Sequence, residues 1–217
     1  MYKAVIFDLD GTLLNTIEDL ADAVNSGLET LGYKPQPLEK FYRFVGNGAV
    51  KLCTRALADC SSNADDISKL HELFSENYRK HCTDKTIPYE GIKEMLVSLN
   101  EKGIKLAVAS NKPDEFTKSL ITSYFGDGLF SSVHGKREGR STKPSPDIVN
   151  DILKELDIEK DDVVLAGDSD VDIMTAENAG IDSIGCTWGF RPKEELASAG
   201  AVYLADSAEK LQKIIAG

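Results

Sequence analysis

Asp8 and Asp10 stand two residues apart in Phe7-Asp8-Leu9-Asp10-Gly11-Thr12, directly after the apolar run Ala4-Val5-Ile6-Phe7. Two carboxylates at a strand end repel each other unless a cation sits between them, and oxygen-rich carboxylate sites suit magnesium. A second acidic cluster, Gly167-Asp168-Ser169-Asp170-Val171-Asp172, follows the apolar Val163-Val164-Leu165-Ala166. Asp168 and Asp172 are four apart, so a helix starting between them would point both at one sheet edge. Asp170 suits a first helical turn, where acids complement the macrodipole. In Lys143-Pro144-Ser145-Pro146-Asp147, two prolines fix the backbone around a lysine. A lysine so held can neutralise a nucleophilic carboxylate and a phosphate together. The remaining cluster is Val108-Ala109-Ser110-Asn111-Lys112. A hydroxyl and backbone N–H groups at a helix start can hold a phosphate oxygen there, or serve as an ordinary N-cap.

Each cluster ends a run that reads as a strand, and ligands bind at the carboxyl edge of an open α/β sheet. The runs are Ala4–Leu9, Lys105–Ser110, Val163–Gly167, Ser183–Cys186 and Ala201–Leu204, all β-rich and too short for helices. Between most of them lie helix-like segments near Gly91–Lys102, Asp114–Tyr124, Asp147–Leu156, Val171–Asn178 and Lys193–Ala199. Such alternation predicts an α/β fold, a mainly parallel sheet with helices on both faces. Ser145-Pro146-Asp147 supplies a helix start, and Gly103 and Gly180 supply helix ends. From about Leu14 to Thr86 the pattern breaks. This stretch offers no good strand but three helical segments, Thr16–Leu31, Leu38–Ala58 and Asp65–Cys82. The first opens with a capping-box pattern at Thr16-Ile17-Glu18-Asp19. The chain therefore divides into a discontinuous core of residues 1–14 and 86–217 and a helical insert of residues 15–85, with linkers near Leu13–Asn15 and Asp84–Tyr89.

Composition narrows the partners. The 217 residues carry a net charge of −11, so no general basic field draws the chain to nucleic acid or an anionic membrane. An anionic substrate would need local positive charge, which a divalent cation could supply. Cys53, Cys60, Cys82 and Cys186 show no C-x-x-C spacing and, with only three histidines, no zinc pattern. They read as free thiols in a reducing compartment. The N-terminus runs straight into a strand with no signal-peptide pattern, and no apolar run approaches the roughly 20 residues a membrane helix needs. A cytoplasmic protein, monomer or homodimer, is the expectation.

The four clusters, in this order and spanning essentially the whole chain, resemble the haloacid-dehalogenase superfamily of phosphatases. The resemblance implies a Rossmann-like core with an inserted all-helical cap. It implies that Asp8 is the nucleophile, forming an aspartyl-phosphate, and that Asp10 is general acid and then general base. It places Mg2+ on the Asp8 side chain, the Asp10 backbone carbonyl and Asp168, with Asp172 joining directly or through water and orienting Lys143. Ser110 and the Asn111 backbone N–H would hold phosphate oxygens. Asp10 argues against the dehalogenase branch, which lacks that acid. In the insert, Arg43-Phe44-Val45-Gly46-Asn47-Gly48 resembles the cap segment of phosphoglycolate phosphatases. On that likeness Arg43, Asn47 and Lys51 are candidates for a small substrate carboxylate, although a plain helix–helix turn fits too. The substrate implied is a small phosphorylated metabolite, with 2-phosphoglycolate leading. Alternatives are a pyrophosphatase, a nucleotidase, phosphoglucomutase-like transfer, or a catalytically idle regulatory protein. The basic residues Lys136, Arg137 and Arg140, where relatives are more acidic, read as a solvated loop or as a preference for a more charged substrate.

Overall fold

The computed structural model describes residues 1–217. In chain order its elements are β1 (Ala4–Phe7), β2 (Leu14–Asn15), α1 (Ile17–Thr30), α2 (Leu38–Phe44), α3 (Ala49–Leu57) and α4 (Ala64–His81). There follow β3 (Ile87–Pro88), α5 (Ile92–Glu101), β4 (Lys105–Pro113), α6 (Asp114–Phe125), β5 (Ser132–Lys136) and α7 (Asp147–Leu156). The chain closes with β6 (Val163–Gly167), α8 (Asp170–Ala179), β7 (Asp182–Cys186), α9 (Lys193–Ser198), β8 (Tyr203–Ala205) and α10 (Ala208–Ala216). Six strands form one sheet in the order β5-β4-β1-β6-β7-β8, every pair parallel.

Strand β1 explains why the sheet is buried on both sides. Its four residues are apolar and fully buried. Val5 and Phe7 enter one core while Ala4 and Ile6 enter the other, as the two-residue side-chain period requires. The register also gathers the chemistry. Phe7 pairs with Val108 of β4 on one side and Ala166 of β6 on the other. The three chains thus leave the sheet together, carrying Asp8, Ser110 and Asp168 to one edge.

The α/β expectation and its alternating elements are met, and several details differ. Leu38–Ala58 is two helices, not one, because Gly46 and Gly48 take positive φ of 116° and 87° and interrupt the helical path. Thr16 makes no cap for α1; its hydroxyl donates to Asp10 Oδ1 at 2.7 Å. Asp19 turns away from the capping box to accept Lys85 N–H, Thr86 N–H and the Thr86 hydroxyl. β5 and α10 were not legible as elements, and β4 runs on to Pro113 rather than ending at Ser110. Between sheet and helices, β2 and β3 pair antiparallel, so the chain leaves and re-enters the α/β region through a two-stranded ribbon. No helix is long and apolar enough to cross a membrane.

Candidate active site

Lys143 is the centre of the site. Its Nζ donates to Asp172 Oδ1 at 2.6 Å, to Asp8 Oδ1 at 2.8 Å and to the Ala109 carbonyl at 2.8 Å, so all three ammonium protons are used. Its backbone is held too. Asn111 Oδ1 accepts the Lys143 N–H at 2.8 Å, and Asn111 Nδ2 donates to the Lys143 carbonyl at 3.1 Å. Burial opposes the Lys143 charge, but the carboxylates of Asp172 and Asp8 outweigh it and hold the ammonium above its ordinary pKa. Removing one partner from such a buried pair typically costs about 3–5 kcal/mol.

Helix α8 delivers the second acidic pair. Its start is a capping box: Asp172 Oδ2 accepts both the Ser169 N–H at 3.1 Å and the Ser169 hydroxyl at 2.6 Å. That leaves Asp172 Oδ1 for Lys143. Asp168 is fixed by the Phe190 N–H at 2.7 Å and the Thr12 hydroxyl at 3.3 Å. Gly11 makes room for it. A Cβ there would lie 2.3 Å from Asp168 Oδ2, and the φ of +93° disfavours any side chain.

Carboxylate oxygens of Asp8, Asp168 and Asp172 lie within 4.8 Å of one another, all three residues buried. Three carboxylates then face one ammonium. Burial pushes Asp8 up to about 7 despite Lys143, and the Asp172 charge adds to the rise. Burial, with the charges of Asp8 and Asp172, raises Asp168 well above the carboxylate range. Hard oxygen donors under mutual repulsion fit a hard divalent cation, whose charge would remove that strain.

Asp10 stands apart from this trio. Besides Thr16, it accepts two hydrogen bonds from Lys112 Nζ, at 2.8 and 3.0 Å. Lys112 is a site residue to which the sequence reading gave no role. Ser110 and Lys112 are two apart on β4, so both face the site, and only the strand's extension past Ser110 makes that visible. Arg191, nine-tenths buried, donates to the carbonyls of Tyr42 and Val45, joining the loop after β7 to α2 and its C-terminus.

These groups line a cavity that opens to solvent and is roofed by side chains of α1, α3 and α4. Asp8, Asp10, Ser110, Asn111, Lys143, Asp168 and Asp172 all line it. Arg43, Asn47 and Lys51, the candidate carboxylate ligands of the insert, are not among its lining residues. Arg43 is exposed and paired with Glu195, Asn47 Oδ1 accepts from Arg55 at 2.6 Å, and Lys51 points to solvent. The turn between α2 and α3 instead meets the site through backbone, with the Gly46 carbonyl accepting Asn111 Nδ2 at 3.1 Å. The basic segment is partly neutralised. Arg137 faces Asp114 at 3.5 Å and Arg140 faces Asp151 at 3.0 Å, while Lys136 is exposed.

Residues 5–186 match the family model for haloacid dehalogenase-like hydrolases, and the chain belongs to that family. Within it the chain sits in the phosphoglycolate phosphatase-like group, enzymes that hydrolyse phosphoric monoester bonds. It is 32% identical to a phosphoglycolate phosphatase of Vibrio parahaemolyticus over 99% of this chain and 96% of the relative. A crystal structure from Lactobacillus delbrueckii subsp. bulgaricus, provisionally named phosphoglycolate phosphatase, superposes with a TM-score of 0.94. It is 37% identical over 99% of this chain and 98% of that one. CbbY from Rhodobacter sphaeroides, solved with phosphate, superposes at 0.82 with 27% identity over 97% of this chain and 96% of that one.

Proposed function

We propose that this enzyme is a Mg2+-dependent phosphatase of 2-phosphoglycolate that works through an aspartyl-phosphate on Asp8. The observation that carries the reading is the Lys143 ammonium, which bridges Asp8 and Asp172 with its own backbone clamped by Asn111. A fixed cation beside a carboxylate offsets the repulsion that Asp8 meets on approaching a phosphate dianion. Support for the substrate comes from relatives named phosphoglycolate phosphatase that align with nearly the full chain.

An Asp8 carboxylate oxygen attacks phosphorus in line, the bond from phosphorus to the ester oxygen breaks, and Asp10 gives its proton to the leaving alkoxide. Water then attacks the phosphorus while the Asp10 carboxylate takes its proton. The bond from phosphorus to Asp8 breaks, restoring the Asp8 carboxylate and releasing phosphate. Ser110 and the Asn111 N–H hold the equatorial oxygens, and positioning supplies most of the rate gain. Asp8, the Asp10 carbonyl, Asp168 and Asp172 are the assigned Mg2+ ligands, and the ion when bound would stabilise negative charge on the phosphoryl oxygens. Residues 15–85 act as a cap that excludes water, on a core of 1–14 and 86–217. The cytoplasm, where phosphorylated metabolites and magnesium are found together, is the proposed location.

The test is phosphate release, with and without Mg2+, from 2-phosphoglycolate, pyrophosphate, nucleoside monophosphates and simple alkyl phosphates, with Asp8→Asn as control. Strong release from 2-phosphoglycolate that vanishes in the control supports the reading. Metal-independent release, or release undiminished by Asp8→Asn, overturns it.

A further inference from the structure

Helix α2 ends in carbonyls that no N–H of its own can satisfy. The Phe41 carbonyl still accepts the Val45 N–H, but those of Tyr42, Arg43, Phe44 and Val45 receive no backbone donor. Two arginines take them instead. Arg55, on α3 of the same insert, donates to the Arg43 and Phe44 carbonyls at 3.2 and 2.7 Å. Arg191, on the loop after β7, donates to the Tyr42 carbonyl and to the Val45 carbonyl, the latter at 2.8 Å. Half of this helix end is completed from within the insert and half from the sheet region.

The stretch that carries Arg191 is anchored on the carboxylate cluster. Trp188 Nε1 donates to the Thr12 carbonyl at 3.1 Å, and the Phe190 N–H donates to Asp168 Oδ2 at 2.7 Å. Between them Gly189 lies so close that a Cβ would sit 2.3 Å from the Asp168 Cβ. Two further contacts reach α2 from this platform. The Phe190 ring meets Tyr42 edge-on at 5.7 Å, and Glu195, 3.2 Å from Arg191, also pairs with Arg43. Elsewhere the insert holds mostly to itself. Helices α1 to α4 pack on one another far more than on the elements of the sheet region, so a few bonds decide where the insert sits. Closure also works against a repulsion, since burial and then the nearby Arg191 charge hold the Arg55 guanidinium below its ordinary pKa.

We infer that Arg191 is the positioning residue that fixes the insert over the active site, its guanidinium completing the C-terminal end of α2 only when the insert is closed. The turn that follows α2 adds a second bond, from Asn111 Nδ2 to the Gly46 carbonyl, and the same Asn111 side chain clamps the Lys143 backbone. Closing therefore ties the insert to the residues that arrange Asp168 on one side and Lys143 on the other. Arg191 needs no contact with substrate to do this. It stabilises the closed form, so that less of the ester's binding energy goes into closing. The inference rests on the reading of residues 15–85 as a cap, and not on which ester is the natural one.

The experiment measures the position of the insert directly. Cys60, the one exposed cysteine, lies between α3 and α4, and Lys193→Cys puts a second thiol at the start of α9. Spin labels on the two give the distance from insert to core by electron paramagnetic resonance, with Tm as the folding control. Arg191→Met removes both carbonyl bonds and should lower the ratio of closed to open form about 10- to 100-fold, seen as growth of a longer distance. Arg191→Lys keeps the charge but not the two-pronged fork; it should give an intermediate ratio, and it carries the test where Arg191→Met does not fold. Arg55→Met removes the other two bonds to α2 but none to the core, so it should keep the wild-type distance. In phosphate release with Mg2+, from whichever ester of the panel above the wild type turns over fastest, Arg191→Met should raise KM on the order of tenfold and leave kcat within about threefold, because a bound ester can still draw the insert shut. Wild-type distances in both Arg191 variants overturn the inference whatever happens to KM, since Arg191 would then act by touching substrate. A longer distance in Arg191→Met, with no panel ester turned over by the wild type, upholds the latch and overturns only the reading of substrate and mechanism.

Discussion

Asp172 holds Lys143 at 2.6 Å with one carboxylate oxygen while the other oxygen closes the capping box of α8 on Ser169. One side chain therefore sets both where the helix starts and where the Lys143 ammonium points. Asp172→Asn keeps an acceptor for the Ser169 N–H but removes the charge facing Lys143. The expected result is a native fold with kcat/KM reduced about 10- to 100-fold and a weaker apparent Mg2+ affinity. A Mg2+ titration of phosphate release checks it, and unchanged metal affinity would detach Asp172 from the cation.

Gly11 tests the same cluster from the other side. Any side chain there meets Asp168 at 2.3 Å on a backbone with φ of +93°. Gly11→Ala should destabilise the protein by about 2–4 kcal/mol, through strain and displacement of Asp168. Urea unfolding measures this; a loss under about 0.5 kcal/mol would show that the loop relaxes freely.

The pH dependence of stability follows from Asp8. In the fold its pKa rises to about 7, chiefly through burial. A raised pKa means the folded state favours the protonated acid. That contribution is complete below the unfolded value near 4 and is lost as pH climbs through about 7. Metal binding needs the ionised form, so its stabilisation runs the opposite way. The rise in Tm on adding Mg2+ should therefore be small at about pH 5.5 and larger at about pH 8. A rise that is equal at both, or larger at the acid value, contradicts the shared-cation account of Asp8, Asp168 and Asp172.

Arg43 and Lys51 supply a contrasting prediction. Both are exposed and away from the cavity, and Arg43 is engaged only in a surface pair with Glu195. Arg43→Ala and Lys51→Ala should each change kcat/KM by less than about threefold, and stability by under about 1 kcal/mol. A tenfold rise in KM for either would restore it to the substrate site.

The sequence made the core site legible for a physical reason. Asp8, Asp168 and Asp172 follow strands or stand at a helix start, parallel strands in register deliver such residues to a common edge, and Lys143 comes to it from the proline-flanked loop between β5 and α7. Short-range pattern was enough. Side-chain contacts in the cap depend on helical phase. Which face of α2 or α3 meets the sheet depends on the break at Gly46–Gly48 and on Arg191, and neither is a local signal. Lys112 was within reach. Two-residue periodicity from Ser110 would have placed it in the site, had β4 been carried past its apolar stretch. Thr16 shows the reverse case, a capping pattern overridden because the Asp10 carboxylate offers its hydroxyl a half-buried charged partner.

The central claim is that Asp8 carries the phosphoryl group, and the most direct measurement is acid quenching during turnover of 2-phosphoglycolate labelled in its phosphate, followed by proteolysis and mass analysis. The account predicts label on the peptide containing Asp8, removable by hydroxylamine as an acyl phosphate should be, and absent from Asp8→Asn. Unlabelled enzyme at every quench time, with phosphate still released at the full rate by Asp8→Asn, would contradict it.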